Sequence, residues 1–126
     1  MIYAARLMVV ITALIGSSVA RAEPMHLLCH GERDTTENPR GGTSEPTTTH
    51  DKFELALVID RSAGTVTVNE HDAKILGNFG FTTYFLGERV VGFRSAISGD
   101  AVINIISRTD DLTQVQHFRG LCEPTR

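Results

Sequence analysis

Apolar and polar residues alternate most clearly along residues 53–60 (FELALVID). Phe53, Leu55, Leu57 and Ile59 fall on one side, and Glu54, Ala56, Val58 and Asp60 on the other. A period of two is that of a strand with one face against a core. Arg61-Ser62-Ala63-Gly64 follows as a turn, with glycine where a positive φ is often needed. The β-branched run Thr65-Val66-Thr67-Val68 then returns, so the two runs predict an antiparallel hairpin. A second hairpin is predicted over residues 101–122. Ile103 and Ile105 share one face, Val102 and Ile106 take the other, and the polar turn is Arg108-Thr109-Asp110-Asp111. Residues 25–31 predict an opening strand with Leu27 and Cys29 on one side and His26, Leu28 and His30 on the other. Residues 81–86 and 90–97 add two more, the latter with Val91 and Phe93 on one face and Arg94 on the opposite one. Between them, residues 71–80 admit a short strand or a half-turn of helix around Ala73, Ile75 and Leu76, interrupted by Gly77 and Gly80. The total is about seven or eight short strands with turns every ten or so residues, and no long helical period. The expected fold is all-β, a small antiparallel barrel or sandwich.

Two stretches break the pattern. Residues 32–51 contain six threonines, Pro39, Pro46, Gly41 and Gly42, and no aliphatic or aromatic side chain. With no apolar surface to offset ordering entropy, the segment is expected to be a mobile loop inside a single domain spanning residues 23–126. Residues 1–22 are different again. A short basic start, the unbroken apolar run 7–16 and the small-residue ending Ala20-Arg21-Ala22 have the three-part form of a secretory signal peptide. The run is shorter than the roughly 20 residues that a membrane span needs. Removal of residues 1–22 and a periplasmic or secreted location are therefore expected.

Export changes the reading of the cysteines. Cys29 and Cys122 are the only two, and an oxidising compartment favours their pairing. Because a disulfide usually holds Cα atoms about 4.4–6.8 Å apart, the first and last strands should be close neighbours. They could lie side by side in a barrel or face each other across a sandwich.

Charge and candidate chemistry narrow the function less. Without Arg6 and Arg21, ten basic residues face fifteen acidic ones, a net charge of −5, which argues against nucleic acid. His26 and His30 share a face but stand roughly 13 Å apart along an extended strand. His30 and Glu32 have the two-residue spacing of a chelating pair, yet no zinc pattern surrounds them. There is no G-x-S-x-G elbow, and no spacing selects a catalytic triad. Neither a metal, a cofactor nor an enzymatic activity is expected. Phe79, Phe81, Tyr84 and Phe85 crowd one stretch, with Arg89 and Arg94 close by. Aromatics mostly complete cores, but both faces of residues 81–86 are apolar, so a ring can be left outside. Tyr and Arg are enriched at interfaces, and Tyr84 and Arg89 are the candidate interaction residues. The expected role is binding or structural, with a protein or small apolar ligand as partner, no membrane attachment after leader removal, and a monomeric state.

The layout resembles a class of small exported proteobacterial β-domain proteins. The matching pieces are Leu28-Cys29-His30-Gly31, Leu57-Val58-Ile59-Asp60 before Gly64-Thr65-Val66, residues 90–93, and Ile106-Ser107-Arg108-Thr109 leading to Phe118-Arg119-Gly120-Leu121-Cys122. Where such proteins often place glycine after the Arg-x-Thr-like turn, this chain has Asp110-Asp111. The resemblance implies a fold and an export route, and no activity. A weaker likeness is to periplasmic C-type lysozyme inhibitors, small exported β-barrels with an early and a late cysteine. Their inhibitory loop carries Ser-Gly followed closely by tyrosine; here Ser98-Gly99 is followed by Asp100, Ala101 and Val102. Inhibition of a hydrolase such as lysozyme is the alternative function that this likeness implies.

Overall fold

The computed structural model describes residues 23–41 and 45–125. The expected leader, residues 1–22, lies outside them. The described chain forms eight antiparallel strands: β1 (Met25–Pro39), β2 (Thr47–Asp60), β3 (Thr65–Val68), β4 (His71–Phe79), β5 (Thr82–Leu86), β6 (Val90–Ser95), β7 (Asp100–Arg108) and β8 (Leu112–Pro124). Each pairs with its neighbour in sequence, and β8 returns to β1, so the sheet closes into a barrel. Of the two architectures left open by the sequence, the barrel is the one formed. Among the described residues, no helix is long and apolar enough to cross a membrane.

Closure divides every strand into inward and outward residues. Inward, Ile75, Phe85, Gly92, Ile103 and Phe118 stand opposite one another from β4 round to β8. Leu27, Leu55, Leu57, Ile59, Val66 and Val68 complete the filling, all essentially inaccessible to solvent. The lumen is therefore a packed core. The alternation read over residues 53–60 is the observed one, with Phe53 at the edge of the core. Gly64 sits at φ 70°, as its turn requires. Residues 71–80, ambiguous in sequence, form β4; the register shifts between Ile75 and Gly77, and Leu76 lies exposed at this irregularity.

The loop assignment for residues 32–51 is corrected over 32–39 and 47–51; residues 42–44 lie outside the described residues. β1 continues to Pro39 and β2 starts at Thr47, pairing from Glu37 opposite Thr47 down to Glu32 opposite Lys52. On its other side this part of β1 pairs with β8, from Glu32 opposite Arg119 to Pro39 opposite Leu112. Ladder bonds on both sides of β1 and pairs of polar side chains order these residues without a hydrophobic face.

The seam between β1 and β8 closes the ring. Cys29 stands directly opposite Cys122, and the two are joined, with their Cα atoms 3.9 Å apart. This is closer than most disulfides. The amide of Cys122 donates to Gly99 O at 2.8 Å on the β7 side, so toward β1 the pair occupies a non-hydrogen-bonded site, where opposed strands approach most closely. The next inward pair is Gly31 and Gly120. A Cβ on Gly31 would lie 2.1 Å from Arg119 O, and one on Gly120 would lie 2.3 Å from His30 O and 2.7 Å from the Phe118 ring. Only glycine fits at either position.

Two consequences can be measured by thermal and denaturant unfolding. The disulfide closes a sequence separation of 93, which in the chain-entropy model stabilises by about 4–5 kcal/mol. Cys29→Ser and Cys122→Ser should each lower stability by a similar amount, and the double variant by no more than either. Additive losses would contradict a single shared bond. Gly120→Ala should cost about 1–3 kcal/mol through forced separation of β1 and β8; an unchanged midpoint would show that the seam can yield.

Candidate functional site

Inward and outward parity also decides what the barrel displays. One residue away from the packed row, the outward row contains Gly77, Tyr84, Phe93, Val102 and Arg119, opposite one another from β4 to β8. Tyr84 is the centre of an aromatic stack on the outer wall. Its ring lies 5.5 Å from Phe79 at 80° and 5.6 Å from Phe93 at 41°, both favourable ring geometries. Phe79 is 74 % exposed and Tyr84 37 %. Leu86 and Val91, opposed in the next outward pair, extend the apolar surface and are exposed too. The bias of aromatics toward the core holds for Phe85, which is buried, and fails for Phe79, Phe81 and Tyr84.

Arg89 lies elsewhere. It sits in the exposed turn between β5 and β6, where it lines surface clefts with Glu88, Ile106 and Arg108 on one side and Glu70, His71 and Asp72 on the other. The Leu86–Val91 pair stands between it and Tyr84. The structure thus places both candidate residues at the surface without bringing them into contact. Phe93 is the member of the stack that the sequence reading did not name, although its position opposite Arg94 in strand parity was legible. Arg94, grouped with Arg89 in sequence, points into the barrel and is buried.

A second surface cluster lies on the strand extension. Outward residues of β1 and β2 form a ladder of acidic and basic side chains: His30 opposite Glu54, Glu32 opposite Lys52 and Asp34 opposite His50. His30 Nδ1 is 3.1 Å from Glu54 Oε1, and His50 pairs with Asp34 at 2.5 Å and with Glu32 at 3.7 Å. On the other side of β1, His117 stands opposite Asp34 and bonds Asn104 at 2.7 Å. On the inner face, Arg33 donates to both oxygens of Asp51 and to Gln116, and its guanidinium lies 3.8 Å from the centre of the Phe53 ring. The Asp34 hydrogen bond raises the His50 pKa above the ordinary imidazole value, with the charges of Asp34 and Glu32 adding and loss of hydration opposing. The Arg33 hydrogen bond lowers that of Asp51, supported by the Arg33 and His50 charges. Among the described residues, no three His, Cys, Asp or Glu side chains are arranged to hold a metal ion. These acids and bases are held in solvent-facing pairs with each other, an arrangement that orders strands.

Comparison with known proteins found no matching family model, no matching curated protein and no matching solved structure.

The two shifts act on the extension in opposite pH directions. A raised His50 pKa contributes stability below the unfolded value of 6.5 that is lost as pH rises through the folded value. A lowered Asp51 pKa contributes stability above the unfolded value of 3.8 that is lost as pH falls through the folded one. Both contributions are present between these two unfolded values. Titration of the His50 ring by NMR should give a midpoint above the ordinary value, and Asp34→Asn should bring it down. The same midpoint in both proteins would show that the hydrogen bond does not hold in solution.

Proposed function

We propose that this chain is an exported recognition module, periplasmic or secreted, that acts by binding another protein rather than by catalysis. The disulfide suits an oxidising compartment. The single observation that carries the reading is the Phe79–Tyr84–Phe93 stack on the outer wall. Rings packed on each other outside the core lose little side-chain entropy on docking and present a rigid apolar surface with one phenolic hydroxyl. Such surfaces anchor protein interfaces. Leu86 and Val91 widen the surface, and Arg119, in the same outward row beyond Val102, supplies a charged rim. A protein partner is favoured over a small apolar ligand because the lumen is occupied by Phe85, Ile103, Phe118 and their neighbours.

The test separates recognition from folding. Tyr84→Ala with Arg89→Ala should lower the melting temperature by no more than about 8 °C, since two exposed substitutions at about 0.5 kcal/mol each sum to about 1 kcal/mol. The same pair should weaken cross-linked partner capture from a periplasmic extract by roughly 30-fold, the loss expected for one hot-spot residue. Phe85→Ala, inside the barrel, should instead destabilise by about 3–5 kcal/mol. Undiminished capture by the double variant would remove Tyr84 and Arg89 from the interface.

A further inference from the structure

The end of the barrel formed by the start of β1 and the β2–β3, β4–β5 and β6–β7 turns carries an unbalanced charge. Arg94 stands between Thr83 on β5 and Ala101 on β7 and points inward. It is 7 % exposed and is the only charged residue among the buried ones described. Among the described residues, its Nε is buried without an acceptor and its Nη1 reaches only Met25 Sδ, at 3.9 Å. Arg61, from the β2–β3 turn, reaches to the same place: it donates to Asn78 Oδ1 at 3.2 Å and to Thr83 Oγ1 at 3.4 Å, and Thr83 in turn donates to Asn78 at 2.7 Å.

No carboxylate answers these two cations. Among the described residues, neither arginine takes part in an ion pair. Asp60 accepts the amide of Ala63 and belongs to the outward set of β2, and Asp100 is exposed opposite Leu121. Burial, and then the charge of Arg61, push the Arg94 pKa down. A buried charge without a partner is among the costliest features a fold can retain, and a second cation beside it adds to that cost. What would balance the pair electrostatically is an anion.

We propose that this mouth is an oxyanion site, in which one phosphate, sulfate or carboxylate group sits between the guanidinium groups of Arg61 and Arg94 beside Asn78 and Thr83. Guanidinium forks match oxyanions in geometry and stay charged in a partly dry site. The site is separate from the aromatic wall and does not rest on it. Because the lumen beyond is filled, the anionic group stops at the mouth and anything attached to it lies outside. There, Phe81 and Ile97 are exposed on adjoining turns, held together by the Ala96 amide donating to Phe81 O at 2.7 Å. The oxyanion can therefore be a free ion or the headgroup of an amphiphile.

Thermal unfolding and calorimetry with sodium phosphate, against sodium chloride of equal ionic strength, test the site. Phosphate should raise the wild-type midpoint saturably beyond chloride, as a ligand of the folded state does. Arg94→Met should melt higher than wild type without phosphate, by removing an unpaired buried charge, and should gain nothing specific from phosphate. Arg61→Gln alters an exposed side chain and should weaken phosphate at least about ten-fold, or 1.4 kcal/mol; it carries the test even if Arg94→Met fails to fold. Equal responses of wild type to the two salts, or an undiminished phosphate response in both variants, would overturn the proposal. Dodecyl phosphate distinguishes the sources: about ten-fold or tighter binding than inorganic phosphate assigns the site to an amphiphile headgroup, and equal binding assigns it to the free ion.

Discussion

Everything that this barrel displays follows from the seam between β1 and β8. A sheet of this size could have stayed open, with two unpaired edges. Here the last strand is drawn onto the first by a directly opposed disulfide and, next to it, a pair of glycines whose missing side chains let the backbones meet. Neither feature suffices by itself. A disulfide restrains the unfolded chain but does not shape the strands around it, and the glycines permit close approach without enforcing it. Together they fix the ring, and the ring fixes which half of each strand faces inward. Phe85 is core and Tyr84 is wall because of that parity, although the two are adjacent and equally apolar in sequence.

The strands on the two sides of the seam continue past the packed core. β1, β2 and β8 are the three longest, and their extensions carry threonines, glutamines and paired charges. Order there comes from main-chain ladders on both sides of β1 and from cross-strand contacts such as Arg33 with Asp51 and His50 with Asp34. Exposed pairs of this kind contribute little singly, and they hold because the seam has already aligned the strands. The extension is thus the part of the molecule most dependent on closure, and it holds His50 and Asp51, whose pKa values are shifted in opposite directions.

That dependence explains where the sequence was legible. Strands with one buried face announce themselves, as residues 53–60 do, and two cysteines leave one pairing. Residues 32–51 could not be read as strands because neither face is apolar, so no period of two exists to be found. Residues 71–80 were ambiguous because the irregularity around Leu76 interrupts their parity. The exposed place of Tyr84 is one of two faces of a strand that carries apolar residues on both, and only its opposition to Phe93 across β5 and β6 selects between them. The inward place of Arg94 is hard to read in the sequence for a related reason. Its inward companions on β6 are Val90 and Gly92, and a single valine is too weak a signal to mark a buried face.

Closure also limits how the barrel can meet other molecules. Main-chain pairing with a partner strand needs a free edge, and β2 has one from Thr47 to Leu55, where β1 lies on one side and no described strand on the other. That edge carries His50, Asp51, Lys52 and, after Phe53, Glu54, and charged side chains are a usual protection of an edge against added strands. At its lower limit, Asn69 caps it by exchanging bonds with Ala56. With the edge guarded and the lumen filled, the surfaces open to another molecule are side chains on the outside. The outer wall offers packed aromatic surface with little charge, and the mouth offers charge with little surface. The fold can keep both, because neither the stack around Tyr84 nor the uncompensated Arg94 takes part in closing the ring.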